Sequence, residues 1–254
     1  MHSMFHSRER ESRAAAEPVP TVFPVIAGAE VAAVFVGKRV AGDFYDAIRV
    51  SPESVLIGLL DVAELNQENR AVLSTAQEIF RTVGTQLFSA SDINESEAMI
   101  ELNLRINRGL IETSSGVRSC PAFIACYHER FGTLCYTNDG HTPALLRDSS
   151  GIAELDSTGL PLGLFSHATS DARIVALEKA AALLLVSHGV VFCESGRNGS
   201  SEQYGLDRLK QLLQEATISN PQSLCASVLN SVGEFTGHAP ACGDRTALAL
   251  VRAS

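Results

Sequence analysis

Residues 121–155 read PAFIACYHERFGTLCYTNDGHTPALLRDSSGIAEL, and the fold class follows from this stretch. Four short apolar runs, Pro121–Tyr127, Thr133–Thr137, Pro143–Arg147 and Ile152–Leu155, alternate with turn chemistry at His128–Gly132, Asn138–His141 and Asp148–Gly151. Runs this short, rich in β-branched and aromatic residues and punctuated by Gly, Asn and Asp, read as strands joined by hairpins. A parallel neighbour needs a crossover of roughly a dozen residues or more, which these turns cannot supply. The sheet built here is therefore antiparallel.

The same reading extends in both directions. Towards the C-terminus come an apolar loop, Gly159–Phe165, strands at Ala172–Leu177 and Ala181–Val186, helices at Gly205–Glu215 and Ser223–Thr236, and a last strand at Arg245–Arg252. Towards the N-terminus, Asp43–Val50 and Ser54–Leu60 flank the turn Ser51-Pro52-Glu53, preceded by a strand at Glu30–Val36. Between these halves, Val72, Ala76, Ile79, Phe80 and Val83 recur at helical spacing over 68–89. Met99, Leu102, Leu104, Ile106 and Leu110 do so over about 95–112, with Asn94 or Ser96 as the cap. Strands, two helices, many strands, two helices and a strand are not a βαβ alternation, so a doubly wound parallel sheet is disfavoured. The expectation is an α+β fold of antiparallel sheets with helices on their outer faces. Residues 1–20 read as a flexible leader and 21–254 as a single domain, with no internal repeat.

Composition removes several classes. With 254 residues, 45% of them hydrophobic and 19% charged, the chain is too apolar to be wholly disordered. It is also long enough to fold without disulfides or a structural metal. Its six cysteines include no C-x-x-C pair and read as small buried hydrophobes in a reduced compartment. A net charge of −9, with the basic residues scattered, is the opposite of a nucleic-acid footprint. The N-terminus lacks the apolar segment of a secretory signal, and the longest apolar run, Ala180–Val186, is too short to span a bilayer. The expectation is a cytoplasmic protein with no membrane or nucleic-acid partner.

Chemistry is concentrated in carboxylates at strand ends. Asp43 and Asp46 are three apart, so in a strand they point to opposite faces and only one can serve a given site. Asp61 closes the apolar strand that ends at Leu60. Each alone is an ordinary turn or strand-end residue; together on neighbouring strands they make a site for a hard cation such as Mg²⁺ or Mn²⁺.

In order along the chain, Gly42-Asp43-Phe44-Tyr45-Asp46, Leu59-Leu60-Asp61-Val62, Asn138–Leu146, Gly159–Phe165, Ser187-His188-Gly189-Val190 and Gly243-Asp244-Arg245-Thr246 resemble six motifs of one family. These are G-D-F-Y-D, G-D-V, N-A-G-H-N-P-x-L-L, G-x-P-L-G-L, T-D-G-V and D-D-x-T of the metal-dependent (PPM) protein phosphatases, in their bacterial SpoIIE-like branch. That branch dephosphorylates anti-sigma-factor antagonists. The match runs from about residue 24 to 252. The resemblance implies a four-layer α-β-β-α sandwich. It also implies hydrolysis of phosphoserine or phosphothreonine by a water acidified between two Mn²⁺ or Mg²⁺ ions, and a phosphoprotein or regulatory protein as partner.

Carried over residue by residue, the resemblance assigns metal binding to Asp43, Asp61 and the Val62 carbonyl. Two usual carboxylates are replaced, by His188 and Gly243. His188 and Asp244, one residue further on, are candidate substitute ligands, and Asp139 and Glu64 are further nearby acids. His141 fits a structural role in the turn Asn138–Pro143. The loop after Asp61, normally S-G-K-G, is Ala63-Glu64-Leu65-Asn66. Two functions therefore stand side by side: a phosphatase with impaired activity, or a non-catalytic pseudophosphatase that serves as a binding or scaffold component of a signalling switch. A hydrolase of small phosphate esters is a third.

Overall fold

The computed structural model describes residues 21–37, 42–62, 67–90, 92–113, 119–195, 202–237 and 243–254. The leader read at 1–20, the loop Ala63–Asn66 with Glu64, and Cys242 lie outside these residues.

Among the described residues, ten strands form two antiparallel sheets of five. The first contains β2 (Phe44–Ser51), β3 (Ser54–Leu60), β4 (Ala122–His128), β5 (Thr133–Asp139) and β8 (Arg173–Ala176), in the order β2-β3-β4-β5-β8. The second contains β1 (Ala29–Val36), β6 (Ala144–Asp148), β7 (Gly151–Leu155), β9 (Ala182–Val186) and β10 (Arg245–Arg252), in the order β1-β10-β9-β6-β7. Helices α1 (Gln67–Phe88) and α2 (Glu95–Thr113) pack on the first sheet. A single turn, α3 (His188–Val191), follows β9, and α4 (Gly205–Glu215) and α5 (Pro221–Phe235) pack on the second sheet.

The layering is written in the period-two alternation of the strands. In β3, Val55, Ile57 and Leu59 face the second sheet, meeting Leu183, Leu185, Leu248 and Leu250. Leu56 and Leu60 face outward to Phe80 of α1 and Met99, Leu102 and Ile106 of α2. In β9, Ala182, Leu184 and Val186 turn the other way, towards Leu209, Leu213 and Val228 of α4 and α5. Strands buried on both faces lose the polar alternation of a solvated sheet, which is why β3, β4 and β9 are almost wholly apolar. The expected α-β-β-α sandwich is what forms.

Local signals explain the ends of elements. Asn94 caps α2, its Oδ1 accepting from the Glu97 N–H at 3.3 Å. Asn220 caps α5, accepting from the Ser223 N–H at 2.8 Å, with Pro221 at the first helical position. One reading is corrected: Asp43 lies just before β2 rather than in it. The single turn α3 has no mark in the sequence, because four residues carry no periodicity. The cysteines at 120, 126, 135, 193 and 225 are free thiols, all buried except the partly exposed Cys193.

Candidate metal centre

Both sheets bring strand ends to one place. The β2–β3 register ends at the pair Phe44 and Leu60, so Asp43, just before β2, and Asp61, just after β3, come side by side. In the other sheet, Ala247 of β10 pairs with Val186 of β9, which sets Thr246 beside Ser187. Their backbones and hydroxyl interlock: the Ser187 N–H donates to the Thr246 carbonyl at 3.0 Å, and the Thr246 N–H donates to Ser187 Oγ at 3.0 Å.

Two hydrogen bonds then join the sheets. The Thr246 hydroxyl donates to Asp43 Oδ2 at 2.7 Å, and the backbone N–H of His188 donates to Asp61 Oδ2 at 2.7 Å. Asp61 is also tied to the residue before β4 by its own N–H, which reaches the Pro121 carbonyl at 2.8 Å. Val62, next in the chain, is buried.

The electrostatics of this pocket are unbalanced. Burial, and then the charge of Asp61, push the Asp43 carboxyl up to about 7; Asp244 adds to the effect. The hydroxyls of Ser187 and Thr246 pull the other way without overcoming it. A neighbouring carboxylate disfavours the ionised form of Asp43 unless a cation sits nearby. The groups that the resemblance assigns to a metal, Asp43, Asp61 and the Val62 carbonyl, all offer oxygen, the preference of Mg²⁺ and Mn²⁺.

Among the described residues, the oxygen donors that the resemblance assigns to a metal and that meet here are Asp43, Asp61 and the Val62 carbonyl. Among the described residues, no three His, Cys, Asp or Glu side chains gather as a metal cage. His188 comes to Asp61 through its amide. Its imidazole is exposed and lies flat on Phe192, with ring centroids 3.9 Å apart and planes 14° from parallel. Gly243 has no side chain to offer. The Asp244 carboxylate is packed against the backbone of Gly37 and Gly42: a Cβ at Gly42 would stand 1.7 Å from its Oδ2. Glycine at 42 is therefore required for Asp244 to lie beside Asp43.

Asp46 has a different task, as its spacing from Asp43 suggests. It is fully buried on the α1 side of β2 and takes two hydrogen bonds from Arg81, from Nε at 2.6 Å and Nη2 at 3.2 Å.

The turn after β5 is built from the side chain of Asn138. Its Oδ1 accepts from the His141 N–H at 2.9 Å, and its Nδ2 donates to the Leu155 carbonyl at 3.0 Å. Gly140 takes φ +67, and a Cβ there would meet Pro161 at 2.4 Å. The His141 ring places Nδ1 3.0 Å from the Thr142 carbonyl and leaves Nε2 buried without a hydrogen-bond partner. Burial holds this imidazole below its usual pKa, with Asp61 and His188 both within electrostatic reach. Nothing in the spacing of the sequence separates this histidine from any other turn residue.

Asp139 does not join the pocket. It lies on the α2 side, fully buried, bonded to Asn103 and Ser170.

Comparison with known proteins agrees with this architecture. In Synechocystis sp., Protein IcfG is 26% identical over 215 residues, 77% of this chain and 33% of IcfG, so the chain spans about a third of that relative. The RsbU and RsbW domains of Rv1364c from Mycobacterium tuberculosis share the fold with a TM-score of 0.70 and 22% identity, covering 91% of this chain and 62% of that one. The SiaA-PP2C domain of Pseudomonas aeruginosa does so with a TM-score of 0.73 and 16% identity, covering 88% and 86%. No helix among the described residues is long and apolar enough to cross a membrane. The Stage II sporulation protein E (SpoIIE) family matches residues 51–253, and the chain belongs to that family, as a PPM-type phosphatase domain.

Proposed function

We propose that this domain hydrolyses phosphoserine or phosphothreonine on a signalling protein, with weakened activity, using one Mn²⁺ or Mg²⁺ ion held by Asp43, Asp61 and the Val62 carbonyl. The observation that carries the reading is the Asp43–Asp61 pair at the meeting of the two sheets. There Asp43 is driven up to about 7 by burial and by its neighbour's charge, a pocket in want of a cation.

When bound, such an ion supplies a Lewis acid that polarises a phosphoryl oxygen and acidifies water. The chain's own residues do the rest. Thr246 and Ser187 orient the Asp43 carboxylate, and the His188 amide holds Asp61 in place. The weakening follows from the positions of His188 and Gly243, where the resemblance calls for carboxylates. Each absent carboxylate leaves a dication less neutralised, and each ~1.4 kcal/mol of lost stabilisation is a factor of ten in rate.

A second reading, a pseudophosphatase that binds its partner without turnover, is favoured by one observation. The His188 ring rests on Phe192 while its amide occupies Asp61 Oδ2, so neither supplies a ligand. A regulatory protein as partner suits both readings, because the similar chain Rv1364c joins RsbU and RsbW domains. Residues 21–254 as one domain and a cytoplasmic setting complete the proposal.

The test is turnover of a phosphoserine peptide at saturating Mn²⁺. Slow hydrolysis that disappears in Asp61→Asn supports the phosphatase. No hydrolysis by the wild type under any metal supports the binding role.

A further inference from the structure

Asp139 is a carboxyl group with no exposure at all, at the end of β5. It stands where the resembling motif has alanine. Its neighbours come from three elements. Asn103 of α2 donates from Nδ2 to Asp139 Oδ2 at 2.7 Å and to Thr137 Oγ1 at 2.7 Å. Thr137 lies on the same strand as Asp139, two residues before it. Ser170, at the far end of the loop between β7 and β8, donates its hydroxyl to Asp139 Oδ1. From the near end of the same loop, Gly159 lies so close that a Cβ there would be 2.4 Å from Asp139 Oδ1 and 2.6 Å from Ser170 Oγ.

The groups that face Asp139 from α2, from β5 and from the loop are thus Asn103, Thr137, Ser170 and Gly159. None is titratable near neutral pH and none is charged. A buried carboxylate without a cation is costly, and it takes up a proton in preference. The surroundings are arranged for two states. With Asp139 ionised, all the donors point at it, and Asn103 Oδ1 is left buried with no partner. With Asp139 protonated, its O–H becomes a donor, and a turn of the Asn103 amide lets Oδ1 accept it. The same loop is pinned a second time to α2: Asn107 Nδ2 donates to the Phe165 carbonyl at 2.9 Å, and Asn107 Oδ1 accepts from the Gly163 N–H at 2.7 Å. This holds a segment that exposes Leu160 and Phe165.

We infer that Asp139 is a proton-dependent latch: protonated, it locks the loop of residues 156–172 to α2 and β5, and ionised, it loosens that loop. The direction agrees with burial, which pushes the carboxyl up to about 6 against the pull of Ser170, Thr137 and Asn103. Opening the loop hydrates the carboxyl and returns it to its ordinary value near 3.8. Opening therefore becomes easier as pH rises from about 4 to about 6, and does not change further above that. The inference is independent of whether the metal site is occupied or the protein turns over.

The experiment is hydrogen exchange of peptides within residues 156–172, corrected for intrinsic exchange rates, at pH 4.5 and pH 7, in the wild type and in Asp139→Asn. A parallel carbon NMR titration follows the Asp139 carboxyl. The expected result is a loop opening at least about tenfold more populated at pH 7 than at pH 4.5 in the wild type, no such change in Asp139→Asn, and a carboxyl midpoint well above the ordinary range. Loop opening with the same pH ratio in both proteins overturns the inference. So does a wild-type Asp139 that titrates near 4, a result that stands even if the variant does not fold.

Discussion

The backbone N–H of His188 donates to Oδ2 of Asp61 at 2.7 Å, joining residues that are 127 positions apart. The contact closes the end of one sheet on the end of the other, and it does so with an amide, so the side chain at 188 is free of that duty. His188→Ala should accordingly change Mn²⁺ affinity by less than about tenfold, the loss being confined to its stacking on Phe192. Asp61→Asn should abolish binding. Calorimetric titration of the two variants checks both, and a large loss in His188→Ala would show the imidazole to be a recruited ligand.

Asp43 links this pocket to pH. Unfolded, its carboxyl has the ordinary value near 3.8; folded, it stands at about 7. Between these values the native state holds more protons at this group than the unfolded one, so the stability that Asp43 contributes is fully present below about pH 4 and is lost as pH rises through 7. Without divalent cation, Asp43→Asn should remove a pH-dependent loss of order 2 kcal/mol between pH 4.5 and 7.5, and Mn²⁺ should offset the same loss in the wild type. Urea unfolding at the two pH values, with and without Mn²⁺, measures it. Identical pH dependence in the wild type and Asp43→Asn would contradict the assignment.

Arg81 neutralises Asp46 from α1, and Asp46 is fully buried. Removing one partner strands the other charge away from water. Arg81→Ala should cost about 2–4 kcal/mol of stability, and the double change Arg81→Met with Asp46→Asn should cost clearly less. Equal losses in chemical denaturation would show that the ion pair does not matter.

Restoring the two carboxylates is sterically open at Gly243, where an added Cβ meets nothing within 4 Å. His188→Asp with Gly243→Asp should therefore raise phosphopeptide turnover at saturating Mn²⁺, by at least about tenfold, while each single change does little, because ligands of one ion act as a unit. Steady-state kinetics on the wild type, both singles and the double decide it. Robust wild-type turnover that the double does not exceed would mean the site works by other means.

Much of this architecture is legible in the chain. The turns of residues 121–155 announce antiparallel pairing, and the three-residue spacing of Asp43 and Asp46 announces opposite faces: one carboxylate goes to the pocket and the other to α1. What is not legible depends on contacts distant in sequence. Arg81 as the partner of Asp46, 35 positions away, has no local mark. Residue 188 reads as a side chain, whereas the fold uses its amide. Asp139 reads as one more acid near the pocket, yet it points to Asn103 and Ser170 on the other side of its strand. Asp244 reads as a candidate ligand because its motif shifts by one residue; its packing on Gly37 and Gly42 becomes visible only when the strands are assembled.

Calorimetric titration of the full chain with Mn²⁺, with Asp61→Asn as the control, asks whether the strand-end carboxylates hold one divalent ion. Saturable binding of one ion per chain, lost in Asp61→Asn, is the expected result. Two ions per chain, or no saturable binding by the wild type, would contradict it.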